Sequence, residues 1–406
     1  MPSTPQPFTM GRAEFVALLA MMMASVAFSI DAMLPALPMI GQELTPDRPQ
    51  NAPLILSMFL LGMGVGTFFT GPLSDTFGRK QIILAGSVVY ILGAAIAWAS
   101  SAFEMVLLGR VLQGLGAAGP RIVTSAIIRD RFSGRQMAQI SSVIMMIFVM
   151  VPAVAPLLGS FIILWSSWRG IFIAFILFAL TYTIWMGLRL PETLPVEKRR
   201  PLRLRLMFAA LSEMAHHPVV RLAIVVQLLV SSMLFLTLML VHPIYDIVYG
   251  RGDEFPYWFF CVALVSGRAS LLNALWVVRL GMHRLVSLAL GAQIVLSGAF
   301  TFFDLGGGGL GFYFFLAWQA FVFLQAGLTF GNLTALAMEP MGHIAGMAAS
   351  VVGAIATVGA VLISAPIGTM FAGDERLLTL SVFVLAVISS GVMVLMGRAS
   401  RQMAPV

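Results

Sequence analysis

The chain has 406 residues, of which 59% are hydrophobic and 10% charged, and its mean hydropathy is +0.96. Soluble domains average about 25% charged residues, so this composition excludes an ordinary water-soluble fold and predicts a bilayer as the solvent. The net charge of +7 does not indicate nucleic-acid binding, because the cations fall between apolar segments instead of forming a basic groove. The single cysteine, Cys261, excludes an intrachain disulfide and a cysteine-based metal site.

Apolar stretches recur along nearly the whole chain, each long enough to cross about 30 Å of hydrocarbon as a helix. The sequence predicts an all-α membrane protein with twelve transmembrane helices. In chain order, the predicted helices span 13–40, 52–73, 81–100, 104–128, 136–163, 168–190, 219–248, 255–277, 283–303, 310–336, 343–370 and 376–397. The first apolar run is too long for a cleavable signal peptide, so we expect the first helix to direct insertion.

The longest hydrophilic stretch falls near the middle of the chain and includes the basic run Lys198 to Arg200. Two pseudo-symmetric six-helix bundles joined by such a linker are typical of transporters, with the substrate site at mid-membrane between the halves. The predicted units are an N-terminal cytoplasmic segment 1–12, an N-terminal bundle 13–190, a cytoplasmic linker 191–218, a C-terminal bundle 219–397 and a C-terminal cytoplasmic tail 398–406.

Basic residues are distributed unequally between the two sets of predicted loops. With an even number of helices both termini lie on one side, and most loop cations fall on that side. The loops of the other side hold only Arg48, Arg169, Arg251 and Arg376. Because Lys and Arg collect in cytoplasmic loops, we predict a multi-pass protein of the inner (plasma) membrane with both termini in the cytoplasm.

The string GPLSDTFGRK, from Gly71 to Lys80, joins the second and third predicted helices. Gly71 and Gly78 permit a tight turn and close helix approach. Asp75 is expected to accept from a helix N-terminus or an arginine, and Arg79 and Lys80 to anchor at the anionic leaflet. We interpret the string as a gating motif. The alternative is a basic turn that only fixes the topology.

The fourth predicted helix contains two arginines within its apolar segment. Arg110 lies deep in the helix, and Arg121 follows eleven residues later, on nearly the same face. An arginine inside a membrane is functional by default, so we expect Arg110 to face the transport cavity, with a purely structural ion pair as the alternative. Arg121, Gln113 and Met23 are further candidate cavity residues.

Asp31 is the only acid deep in the first half of the chain. It lies late in the first helix, and Arg110 lies early in the antiparallel fourth helix, so the two are expected at similar depth and in contact. Burial and a neighbouring cation act in opposite senses on the proton affinity of a carboxylate, as a proton carrier requires. We therefore predict Asp31 and Arg110 to be the proton-coupling pair. The alternative is an aspartate that kinks the helix near Pro35 and Pro38.

The fifth predicted helix contains Pro152, Pro156 and Gly159 within an apolar run. The two prolines free backbone carbonyls and bend the helix, and the glycine allows a neighbouring helix to approach closely. Taken alone, two prolines in an apolar helix indicate no more than a kink.

Together these motifs resemble those of the major facilitator superfamily, and more narrowly its drug:proton antiporters of the bicyclomycin-resistance and chloramphenicol-exporter group. The string Gly71 to Lys80 is similar to the family's signature loop, Arg110 with Gln113 to its helix-four motif, and Pro152 to Gly159 to its antiporter motif. Ala155 departs from the broader antiporter motif. The resemblance implies alternating-access export of small amphipathic compounds, such as chloramphenicol- or bicyclomycin-like molecules, in exchange for protons.

Two other functions remain as alternatives at this point. The first is import or facilitated uptake of a nutrient or metabolite on the same fold, although few amide or acidic side chains lie in the helices. The second is an integral membrane enzyme, which would require a cluster of reactive side chains that the scattered histidines do not supply. The expected partners are a small-molecule substrate, protons and the bilayer, with no nucleic acid, metal or cofactor, and the expected functional unit is a monomer.

Overall fold

A computed structural model describes residues 10–199, 201–202, 204–303, 305–306 and 309–403, and these residues form helices and no strand. The first half contains α1 (Arg12–Asp31), α2 (Leu37–Leu44), α3 (Leu54–Phe77), α4 (Arg79–Ala99), α5 (Phe103–Arg131), α6 (Gly134–Trp165) and α7 (Trp168–Arg189). The second contains α8 (Leu204–His216), α9 (Pro218–Pro243), α10 (Phe255–Ser266), α11 (Ala269–Leu280), α12 (Met282–Phe302), α13 (Gly311–Met338), α14 (Ala345–Gly368) and α15 (Arg376–Met403).

Twelve helical stretches of the described residues are long and apolar enough to cross a membrane. The predicted all-α class with twelve transmembrane helices is therefore confirmed. Helices are the expected form of these stretches, because hydrocarbon offers no water to the backbone and a helix satisfies its amide and carbonyl groups internally.

Helical geometry is interrupted in two of the predicted transmembrane helices and altered in a third. The first helix stops at Asp31 and resumes as a 3-10 turn, Leu34–Ala36, followed by α2. The eighth predicted helix is divided into two helices, of which the first ends at Ser266 and the second begins at Ala269. The seventh predicted helix continues past α9 as a π-helical turn, Ile244–Val248. The first predicted helix, 13–40, corresponds to one membrane span, Arg12–Leu44, whose helical geometry breaks after Asp31, and Pro35 and Pro38 lie in the segment that follows the break.

The predicted linker contains a helix, α8, that the sequence reading did not anticipate. This helix buries Ala210 and Met214 and packs on α9 and α14. Arg200 and Arg203 of the predicted basic linker lie outside the described residues. The limits proposed for the two bundles and the linker remain predictions.

The helices alternate in direction, and ion pairs hold their ends together on each side. On one side Arg189, at the end of α7, contacts Glu14 at the start of α1 at 2.8 Å. This side also carries α8 and is called the linker side. On the opposite side, called the far side, Arg169 at the start of α7 contacts Glu43 at the end of α2 at 2.6 Å.

The two halves meet along two pairs of helices, α3 with α14 and α6 with α10. Within the first half, α3 and α5 approach closely because glycines replace larger side chains. A Cβ placed on Gly114 would clash with the carbonyl oxygen of Phe59, and one placed on Gly62 would clash with that of Val111. This close packing brings the deep arginine of α5 against the backbone of α3.

Candidate functional site

Arg79 is a buried arginine that joins three helices on the linker side. It is 4% exposed, and its guanidinium donates to Asp75 of α3, to Ser74 Oγ at 2.7 Å and to Asp130 Oδ2 of α5 at 3.0 Å. Hydrogen bonds between charged groups are about twice as strong as neutral ones. Arg79 therefore fixes the start of α4 against the ends of α3 and α5.

Glu192, just after α7, caps the start of α4. Its two carboxylate oxygens accept from the backbone amides of Arg79 at 3.0 Å and Lys80 at 3.1 Å, where a helix N-terminus favours negative charge. Gly78 makes this contact possible, because it has φ +107° and a Cβ there would collide with the Glu192 carboxylate. Lys80 Nζ donates to the carbonyl oxygen of Gly187 at 2.7 Å.

These contacts correct the expectation that Arg79 and Lys80 anchor at the lipid surface. Both side chains bind oxygens of the protein, because the turn at Gly78 directs them toward α3, α5 and α7. Of the two partners considered for Asp75, the arginine is the one found. Sequence reasoning did not assign Asp130 and Glu192 as partners of the loop. The available signal was that both are acids at the linker-side ends of helices, facing a basic turn in the predicted topology.

Arg110 is fully buried and its donors are occupied by the protein. Its Nε donates to the carbonyl oxygen of Ile55 at 3.2 Å, and its terminal nitrogens donate to Gln113 Oε1 at 2.6 Å and to the carbonyl oxygen of Ser29 at 2.9 Å. The guanidinium also lies 4.4 Å from the ring centre of Phe59. The expectation that Arg110 faces the transport cavity is therefore wrong for this conformation.

Asp31 lies at the depth that the sequence predicted but does not contact Arg110. Among the described residues it has no ion pair or hydrogen bond with that arginine, although Arg110 binds the carbonyl of Ser29, two residues earlier. Successive residues of an α-helix are separated by about 100°, so Ser29 and Asp31 face nearly opposite directions. Counting residues along the two helices gave the depth of Asp31 correctly, but it does not give the direction in which the side chain points. Asp31 is 5% exposed and ends α1.

The antiporter motif of α6 meets the chain directly after Asp31. A Cβ on Gly159 would clash with the carbonyl oxygen of Ala32, so only glycine allows this approach. Pro152 and Pro156 both lie within α6, about two turns and one turn before Gly159, respectively. The structure thus brings this motif to the point where α1 stops, which sequence reasoning did not predict.

A cavity of about 790 Å³ lies between the two halves on the linker side. The exposed residues Lys198 and His343 belong to its wall, so the cavity reaches the linker-side surface. Toward the far side the halves are in contact, as Ser57 Oγ of α3 donates to Met239 Sδ of α9 at 3.2 Å. The molecule is therefore in a conformation open toward the linker side.

The cavity wall contains some of the predicted site residues and omits others. Its lining includes Gly71, Asp75, Arg79 and Arg121. It does not include Asp31, Arg110, Gln113 or Met23. Gln113 is fully buried as an acceptor for Arg110, and Met23 packs in the hydrophobic core, so the predicted cavity roles of these two residues are not found in this conformation.

Comparison with known proteins agrees with this architecture. Residues 17–364 match the family model of the Major Facilitator Superfamily. The chain is 29% identical over 356 residues to the bicyclomycin resistance protein homolog of Haemophilus influenzae, covering 86% of this chain and 87% of that protein. It is 34% identical over 147 residues to a chloramphenicol resistance protein of Pseudomonas aeruginosa, covering 36% of this chain and 35% of that protein.

A solved D-xylose–proton symporter has the same fold, with a TM-score of 0.72 at 14% identity over 92% of this chain and 97% of that one. The family match covers most of the chain. The chain therefore belongs to the Major Facilitator Superfamily and is a multi-pass membrane transporter of small molecules, related to bicyclomycin and chloramphenicol resistance proteins.

Proposed function

We propose that this transporter exports small amphipathic compounds, such as chloramphenicol- or bicyclomycin-like molecules, from the cytoplasm in exchange for protons. The observation that carries the proposal is the cavity between the halves, which is open on the linker side and closed by α3–α9 contact on the far side. Such a cavity loads substrate from one side, and rocking of the halves about the site would release it on the other. The names of the relatives support export of antibiotics.

The linker side is proposed to be the cytoplasmic side of the inner membrane, because the linker and the loops on that side hold most of the basic residues. The cavity is complete within one chain, which supports function as a monomer.

A green fluorescent protein fused after the last residue tests this orientation. This fusion partner fluoresces in the bacterial cytoplasm and stays dark when it is exported unfolded. We expect fluorescent cells. A dark fusion at full expression, together with activity of a periplasmic phosphatase fused at the same point, would place the terminus outside and reverse the proposed topology.

Asp31 is proposed to carry the proton. It is a nearly buried acid at the point where α1 stops, and no described cation pairs with it, so ionisation leaves an uncompensated charge in the membrane. Protonation removes that charge. Gly159 of α6 packs on the next residue, so a change at Asp31 would act directly on the contact between α1 and α6.

Replacing Asp31 by Asn is expected to abolish uphill export while preserving insertion, because asparagine keeps the shape of the side chain and cannot ionise. The measurement is accumulation of a fluorescent dye in cells, with and without an uncoupler. Wild-type cells should gain dye when the uncoupler is added, and Asp31→Asn cells should hold the high level throughout.

The matched control is Asp253→Asn, which makes the same change at an exposed acid in the far-side loop before α10. This variant should behave as wild type. Wild-type export by the Asp31→Asn protein would refute the assignment of the proton carrier. A fall in dye content when the uncoupler is added to wild-type cells would indicate import and would refute the proposed direction.

Arg110 is proposed to support coupling by holding α1 and α3 in place, since it binds carbonyl oxygens of both helices. Lysine is a compact charge without the planar fork of arginine, and it cannot reach all three acceptors. We expect Arg110→Lys to lower the melting temperature of the purified protein and to reduce export by about tenfold. Normal stability combined with complete loss of export would point instead to direct contact with protons or substrate.

Asp75 is proposed to act in the opening and closing of the cavity on the linker side, called the inner gate. It lies on the cavity wall and pairs with Arg79, which joins α3, α4 and α5, so its contact would change if these helix ends shift relative to one another during the cycle. The carboxylate is 44% exposed and Asp130 also holds Arg79, so the pair contributes at most about 1 kcal/mol.

Asp75→Asn is accordingly expected to slow turnover by about threefold to fivefold, since 1 kcal/mol changes a rate by about that factor. Substrate affinity should stay within about twofold of wild type. Dye export rates in reconstituted vesicles and equilibrium dye binding to the purified protein measure the two quantities separately. Weakened binding at an unchanged turnover rate would contradict the gating role.

A further inference from the structure

We infer that the preferred substrates are amphipathic organic anions, whose charged group binds Arg121 while the apolar part lies against the second half. This inference rests on the proposed function only in treating the linker-side cavity as the place where substrate binds.

The two arginines of α5 differ in how the protein occupies their donors. Arg110 donates to three oxygen atoms. Arg121 has one hydrogen-bond contact among the described residues, to the thioether sulfur of Met63 at 3.6 Å, and no described carboxylate pairs with it. A thioether is a weak acceptor. Most of the five N–H donors of Arg121 are therefore free to bind a ligand.

Arg121 is also deep enough to select a substrate. It lies ten residues before α5 ends at Arg131, which corresponds to about 15 Å at 1.5 Å per residue. Its contact Met63 lies in the middle of α3. An arginine at this depth is stable only if it faces a partner or a water-filled space. Arg121 lines the cavity, so an anion entering from the linker side would reach it.

The charges of the cavity wall favour an anion as well. Among the described residues of the wall, the guanidinium and ammonium groups are those of Arg79, Arg121, Arg129 and Lys198, and the one carboxylate is that of Asp75, which Arg79 binds. The remaining cations have no carboxylate on the wall to balance them. A cleft lined by charges of one sign, with low-dielectric walls, concentrates ions of the opposite sign. A cationic compound would be repelled at the same position.

The opposite wall has a different character. The second half contributes the apolar side chains Ile344, Met347 and Ala349 together with Ser350 and the exposed His343, whereas the described guanidinium and ammonium groups of the wall come from the first half and the linker. The cavity thus has a cationic wall facing a largely apolar wall. Its volume of about 790 Å³ lies within the range of drug-sized sites, about 300–1,000 Å³. This arrangement fits a molecule with an anionic group at one end and a ring system at the other.

The test uses two dyes that share a ring system and a methyl ester but carry opposite single charges, fluorescein methyl ester and rhodamine 123. Binding is measured by fluorescence polarisation on the purified full chain at slightly alkaline pH, in a maltoside detergent that has no phosphate headgroup. We expect the anionic dye to bind at least about tenfold more tightly than the cationic dye. Arg121→Gln should weaken anion binding by about tenfold to a hundredfold, as expected for a lost charge-assisted hydrogen bond.

The matched control is Arg129→Gln, which removes the same charge two turns nearer the mouth of the cavity. It should weaken anion binding about threefold or less, and Arg121→Lys should retain part of the preference. Equal losses in the two glutamine variants would refute a specific contact at Arg121. If Arg121→Gln does not fold, as judged by gel filtration, the wild-type preference still decides, since equal or tighter binding of the cationic dye would overturn the inference.

Binding requires no gradient, so this test is separate from that of proton-coupled export. An anion preference that depends on Arg121 would stand even if the uncoupler experiment excluded export.

Discussion

Hydrocarbon provides no water to solvate a charge, and this constraint explains the positions of Arg79, Arg110 and Arg121 in the first half. A buried guanidinium must bind protein oxygens or face an aqueous cavity. Arg110 meets the first condition with carbonyls of α1 and α3, and in doing so holds those helices together. Arg79 meets it with the carboxylates at the ends of α3 and α5. Arg121 binds no oxygen of the described residues and lies on the cavity wall, so this deep arginine of α5 is available to a ligand.

The sequence was sufficient to predict the class of fold, because the length of each apolar stretch and the charge of the loops between them can be read directly along the chain. It was less informative about side-chain direction. The depth of Asp31 relative to Arg110 follows from counting residues, but its direction depends on the rotation of α1 about its own axis, which turns Ser29 and not Asp31 toward Arg110. The partners Asp130 and Glu192 are distant in sequence from Arg79, and only packing of α5 and the end of α7 brings them to it.

Several candidate residues gather at helix ends and interruptions instead of in regular helix interiors. Asp31 ends α1, Gly78 separates α3 from α4, and Gly159 packs against the residue that follows Asp31. Fewer backbone hydrogen bonds must change at a helix end than inside a helix. In the proposed cycle, the α3–α5 contact tightened by Gly114 would move as one unit, and conformational change would be transmitted at these helix ends.

The charge of the substrate determines how strongly the membrane potential drives the cycle. A proton that enters carries one positive charge inward. A monovalent anion that leaves moves the equivalent of a second positive charge inward. Each elementary charge gains about 2.3 kcal/mol per 100 mV, so an anion would be exported with about twice the electrical driving force available for a neutral compound. A monovalent cation would cancel the charge of the proton. In the proposed cycle, a single proton carrier, Asp31, together with anion binding at Arg121 would need no second proton site to expel anions against a steep gradient.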